Sequence, residues 1–363
     1  MLMGLTLVLL SIGLVTLYSA SSVLAMRAGL PDTYFLLRQS TAAGVGLVVL
    51  IACALVPYHW WQRWSWPLLG VSVASLLVLV LPGTEGIAPV INGSRRWLRI
   101  GVSGQPSEFA KIAFIVWTAT MAVKKAPHFQ SLRRGLAPFF VVWSLVLVPI
   151  ALQPDLSTAM LIGLLGVMIL FAAGARFSHF VFLVLLILPF IQRQLSVGFR
   201  ASRIEAYFNP ALDPAGAGFQ VRQSLVGLGS GGLMGVGFGE GRQKFGFLPE
   251  AHNDFIFAMI GEEWGLFGVV LLVALYVGIV LVGFRIASNA QDLFGELLAL
   301  GFTNLIALQA VLHMSVGLGL APPTGLALPL VSWGRSNLVV TLAAIGILVS
   351  VARAAPGGKS ACA

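Results

Sequence analysis

A chain of 363 residues could form two or three soluble domains by length, but 58% of it is hydrophobic, only 10% is charged, and the mean hydropathy is +0.94. Soluble domains carry about a quarter charged residues, so an ordinary soluble enzyme is excluded and an all-α polytopic membrane protein is indicated. The formal net charge of +9 sits in short connections, where it suits anionic lipid headgroups or a phosphorylated lipid and argues against nucleic acid.

Apolar runs bounded by Pro, Gly or charge predict ten transmembrane helices, near 3–25, 36–56, 66–82, 106–123, 138–153, 156–174, 177–191, 255–284, 293–318 and 328–352. The first run, MLMGLTLVLLSIGLVTLYSASS, lacks a basic n-region and reads as an uncleaved helix rather than a signal peptide. Cys53 and Cys362 make neither a disulfide framework nor a CxxC site. Lys124, Lys125, Arg133 and Arg134 form the densest basic cluster in a short connection, and Arg63, Arg176, Arg285 and Arg353 fall on the same side, which is then cytoplasmic. The reading is a single transmembrane domain over 1–353 with a short cytoplasmic tail, 354–363.

One long connection, 192–254, lies between the seventh and eighth spans on the opposite, extracytoplasmic side. It holds Arg200, Arg203, Tyr207, Pro210 and the glycine tract VGLGSGGLMGVGFGEG. Its apolar and aromatic content predicts short helices and turns rather than disorder. Gly227, Gly229 and Gly232 fit GxGxxG, but no strand-helix-strand pattern surrounds them and no P-loop follows, so a nucleotide is not expected.

Four polar clusters interrupt this apolar chain. In INGSRRWLRIGVSGQPSEFAK, residues 91–111, Arg95, Arg96 and Arg99 precede a helix start where Ser107 or a neighbour can cap and exposed amides favour an anion. Glu108 and Lys111, three apart, share a helical face. They either hold the helix end as a salt bridge or line a polar cavity. In QPDLST, Pro154 ends one helix and Asp155 can cap the next. In KFGFLPEAHNDFIFAMIGEEWG, residues 244–265, Lys244, Glu250 and His252 precede Asp254 at the start of the eighth span, with Glu262 and Glu263 deeper. Ionised groups at membrane depth cost roughly 2.5–3.5 kcal/mol on insertion scales, so they are usually functional or paired. Asp254 is therefore an N-cap or a general base. The fourth cluster, GLAPPTGLALPLVSWGRSNLV, offers Ser332, Arg335 and Ser336 in backbone broken by Pro and Gly. No HExxH or comparable metal-ligand spacing appears, although Mg²⁺ needs only one or two carboxylates plus substrate phosphates.

YSAS at 18–21, NGSRRWLRIG at 92–101, QPSEFAK at 105–111, QPDLST at 153–158, GFQVRQSLVGLGSGGLMGVGFGEGRQKFGFLPEAHNDFIFA at 218–258, GEEWG at 261–265 and PTGLALPLVSWGRS at 323–336 together resemble the SEDS proteins of shape, elongation, division and sporulation. The LPEAH form looks like the division branch rather than the elongation branch. The resemblance implies a ten-helix fold and a peptidoglycan glycosyltransferase that polymerises lipid II, a lipid-linked disaccharide-pentapeptide, during septal synthesis. It makes Asp254 the catalytic residue and places Glu108, Lys111 and Asp155 in a shared cavity. It also implies work with a class B penicillin-binding protein and other division proteins in the bacterial cytoplasmic membrane. Arg95, Arg96, Lys111 or a divalent cation (Mg²⁺ or Mn²⁺) would then offset the diphosphate leaving group; Lys244, His252 and Ser332 complete the expected substrate-binding set. Ser-Trp-Gly-Arg-Ser at 332–336 departs from the usual Ser-Tyr-Gly-Gly-Ser. The alternatives are a lipid II flippase and an elongation-type polymerase.

Overall fold

The computed structural model describes residues 1–90, 93–100, 102–195, 198, 205, 207, 208 and 216–355. Arg200, Arg203, Pro210 and the tail beyond 355 lie outside them. The chain divides into two compact units: residues 1–45, 189–281 and 306–338 form the first, and residues 46–188, 282–305 and 339–363 the second.

The protein is an all-α polytopic membrane protein, and among the described residues ten helices coincide with the ten predicted spans. They are α1 (Leu2–Arg27), α2 (Tyr34–Leu55), α4 (Ser65–Val80), α5 (Pro106–Lys125), α6 (Ala137–Leu152), α7 (Leu156–Ala172), α8 (Phe177–Leu195), α10 (Ile256–Ser288), α11 (Leu293–Gly317) and α12 (Arg335–Ala354). Two further α-helices among the described residues, α3 (Tyr58–Arg63) and α9 (Ala217–Ser230), connect them. Among the described residues, six helices are long and apolar enough to cross a bilayer by themselves; α4 and α7 are apolar but shorter.

Two local outcomes differ from the sequence expectation. β1 (Leu98–Ile100) pairs antiparallel with β2 (Val102–Gly104), with Arg99 opposite Ser103. A three-residue strand is too short for its period to show in sequence. The last helix starts at Arg335 instead of near 328, because Leu330 adopts φ 68 and the Leu328 amide is taken by the Ser332 hydroxyl.

In the second unit α5 is the central helix, packed by α4, α6 and α7. Most of its residues are buried, and its Phe114 and Trp117 interlock with Phe139 and Trp143 of α6. Gly166 of α7 permits this, since a Cβ there would come within 2.5 Å of the Trp143 ring. In the first unit a core of Ala20, Leu248, Ala251, Phe255, Ala258, Met259 and Val316 joins α1, α11 and the start of α10. Small residues at three of these positions let the turn before α10 lie close to its neighbours.

Candidate active site

The stretch Leu248–Phe255 forms a tight turn rather than a cap of ordinary type. Glu250 sits in the left-handed region at φ 55, and its carbonyl accepts the amides of Asn253 and Asp254, both at 3.0 Å. A non-glycine residue held there costs on the order of 1–3 kcal/mol, and such strain persists only where the surroundings enforce it. The enforcing partner is the broken stretch before α12. Trp333 donates its amide to the His252 carbonyl at 3.1 Å, and the Ser332 hydroxyl donates to the Asn253 carbonyl at 2.8 Å. Gln39 of α2 braces this second turn, donating from Nε2 to the Ser332 carbonyl at 3.1 Å and accepting the Gly334 amide at 3.4 Å. Asp254, half-buried, thus stands two residues before α10 on a turn held from two sides.

His252 is buried beside Phe35, whose ring lies 5.1 Å from it and 5.1 Å from Trp333. Burial pushes the His252 imidazole below its ordinary value, partly opposed by the Glu250 carboxylate, so the ring is neutral at pH 7. A neutral, packed ring fixes the turn.

Lys244 is buried in the same unit. Its ammonium lies 3.2 Å from Glu263 Oε1 and 3.1 Å from the Ser19 hydroxyl, and it also donates to the Gly239 carbonyl. Ser19 donates to Glu263 at 2.6 Å. Glu262 accepts the Arg242 amide at 2.8 Å and the Gln243 amide at 3.3 Å. The two glutamates therefore anchor the glycine-rich connection to α10, Glu262 through backbone amides and Glu263 through Lys244 and Ser19.

The other candidates lie in the second unit. Glu108 in the first turn of α5 pairs with the fully buried Lys111 at 2.6 Å. The N-cap of α5 is Gln105, with Pro106 at the first helical position, rather than Ser107. Asp155 caps α7, its Oδ1 accepting the Thr158 amide at 3.3 Å. Arg96 closes the break before it by donating from Nε to the Gln153 carbonyl at 3.1 Å and from Nη2 to the Pro154 carbonyl. Arg95 pairs with Glu85 at 2.5 Å. Arg95, Ser94 and Gln153, with Leu79, Val80 and Pro154, line a cavity of about 450 Å³, room for a polar headgroup.

Residues 1–356 match the family described as "Cell cycle protein", which comprises FtsW, RodA and SpoVE. This chain belongs to that family. Among its SEDS relatives, a probable peptidoglycan glycosyltransferase FtsW of Geobacter metallireducens is 42% identical over 341 residues, 93% of this chain and 90% of the relative. Stage V sporulation protein E of Bacillus subtilis is 43% identical over 351 residues, 96% of this chain and 95% of the relative. Among solved structures, a chain from a peptidoglycan synthase complex that coordinates polymerization and crosslinking superposes with a TM-score of 0.79 at 29% identity, covering 96% of both chains. The rod shape determining protein RodA of Thermus thermophilus gives 0.70 at 29% identity, over 96% of this chain and 95% of that one. The chain is thus an FtsW-like SEDS protein.

Three residues that position the site carry no chemistry in the sequence reading: Ser19, Gln39 and Arg242. Ser19 lies within the YSAS match, and Gln39 is a polar side chain in an otherwise apolar span. Polar groups at membrane depth are the signal that could have selected both. Arg242 acts through its backbone amide, which no side-chain pattern reveals.

Proposed function

We propose that this FtsW-like protein is the peptidoglycan glycosyltransferase that polymerises lipid II at the outer face of the cytoplasmic membrane during septal wall synthesis. The observation that carries the reading is identity of 42% along nearly the whole chain with a probable peptidoglycan glycosyltransferase FtsW. Asp254 is the general base. It accepts the proton of the acceptor sugar hydroxyl as that oxygen bonds to C1 of the donor sugar, while the C1–O bond to the diphosphate breaks and its electron pair leaves with polyprenyl diphosphate. The braced turn supports this role, because a base must be held at hydrogen-bond reach of the proton it removes.

Lys111, Arg95 and Arg96 are the cations offered to the leaving diphosphate, with Glu108 and Asp155 orienting the polar surface around it. Among the described residues no three His, Cys, Asp or Glu side chains converge. Such a donor set suits a Mg²⁺ or Mn²⁺ ion carried by the diphosphate itself rather than one caged by the protein, and no step above is routed through it. A class B penicillin-binding protein is the proposed crosslinking partner, with other division proteins beside it. The likeness to a chain of a peptidoglycan synthase complex supports that assignment.

The test is polymerisation of labelled lipid II by purified protein with its penicillin-binding partner. Asp254→Asn should lower glycan formation by a hundredfold or more, consistent with loss of a general base. Equal product from both proteins removes Asp254 from the chemistry. Movement of lipid II across vesicles without polymer would favour the flippase.

A further inference from the structure

Helix α10 does not keep its own hydrogen-bond ladder. At Gly265 the backbone turns to φ 66 and ψ −162. The Glu262 and Glu263 carbonyls accept the amides of Val236 and Gly237 at 3.0 and 3.2 Å. In a continuous helix they would accept Leu266 and Phe267. Those two amides donate instead to the Gly232 and Leu233 carbonyls at 2.9 and 3.2 Å. The loop after α9 is thus spliced into the helix, and four backbone groups freed by the break are paired with loop backbone.

The side chains of this loop point the other way. Met234 is 82% exposed, and Leu233, Val236 and Phe238 are exposed with it. The seventeen residues Gln223–Gly239 carry no charge. Beyond the splice, Leu266, Phe267 and Val270 of α10 are exposed in turn. Because Phe267 bonds directly to Leu233, the loop tip continues the apolar stripe that α10 presents to lipid. The helix beyond Gly265, residues 266–288, rises about 34 Å, close to the roughly 30 Å of a hydrocarbon core. That length puts Gly265 and the loop at one boundary of the bilayer. Non-helical backbone is tolerated at that depth only where protein satisfies its polar groups, and the four groups freed at Gly265 meet that condition.

We propose that residues 231–239 form a bilayer-embedded loop whose Leu233, Met234, Val236 and Phe238 side chains contact acyl chains of the leaflet on the Asp254 side. Lipid would then hold the splice from which the first two turns of α10 run back to Asp254. Water on one side and a protein partner on the other are the competing occupants of this face, and accessibility separates all three.

The experiment uses the full chain in nanodiscs of phosphatidylethanolamine and phosphatidylglycerol, with Cys53 and Cys362 replaced by serine. Nitroxide labels are placed through Met234→Cys and, separately, Phe238→Cys. Val277→Cys on the exposed face of α10 and Glu240→Cys serve as lipid and water references. Power saturation with oxygen and with a water-soluble nickel chelate should place positions 234 and 238 beside 277, with oxygen accessibility several-fold above that of the chelate. Chelate accessibility matching position 240 overturns the proposal in favour of water. Protection from both reagents overturns it in favour of protein packing.

Discussion

The Lys244 ammonium and the Glu263 carboxylate meet at 3.2 Å, both buried, with Ser19 bonded to each. Breaking a buried pair from one side leaves the other charge stranded, which typically costs about 3–5 kcal/mol. Lys244→Met should therefore lower the unfolding temperature of the detergent-solubilised protein sharply, and Lys244→Met with Glu263→Gln should recover most of the loss. Equal melting of parent and single variant would show that the pair contributes nothing.

Gly265 is the residue on which the α10 splice depends. A Cβ there would approach the Leu233 carbonyl oxygen to 2.6 Å, and φ 66 disfavours any L side chain. On the other strand of the splice Gly235, at φ 83, would place a Cβ 2.5 Å from the Glu263 carbonyl carbon. Gly265→Ala should destabilise by about 2 kcal/mol or more and open residues 231–239 to limited proteolysis, whereas Gly229→Ala, which meets open space, should leave the cleavage rate unchanged.

Glu108 and Lys111 distinguish a fold role from a substrate role. Exchanging them, Glu108→Lys with Lys111→Glu, keeps an ion pair on the same face of α5 and opposes the helix dipole by roughly 0.3–1 kcal/mol. If Lys111 has the proposed role of cation for the diphosphate, the exchanged protein should fold yet lose at least tenfold in lipid II polymerisation. Parental activity in the exchanged protein would make the pair structural only.

His252 makes stability pH-dependent. Burial lowers its folded value below the ordinary 6.5, so the unfolded chain takes up the proton first as pH falls. Stability is full above about pH 6.5 and declines from there down to the lowered folded value. The unfolding temperature should drop between pH 7 and 5, and His252→Gln should flatten that drop while lowering stability at pH 7 through lost packing on Phe35.

The sequence by itself determined the class and the spans. Ten apolar runs became ten helices because burial of apolar side chains in lipid depends on composition over about twenty residues, which is local. The QPDLST break was equally legible, since Pro154 and the capping Asp155 act within four residues of themselves. Tertiary structure alone decided the rest. Nothing in GEEWG announces that Glu262 and Glu263 surrender their carbonyls to a loop 26 residues earlier, because backbone hydrogen bonds carry no side-chain signature. Nor does any pattern link Gln39 to Ser332, or Ser332 to the turn before Asp254. Those contacts join residues 293 and 79 positions apart. Their partners are chosen by the packing of whole helices, and that packing turns an acid marked only by its cost in a membrane into one held in a single position.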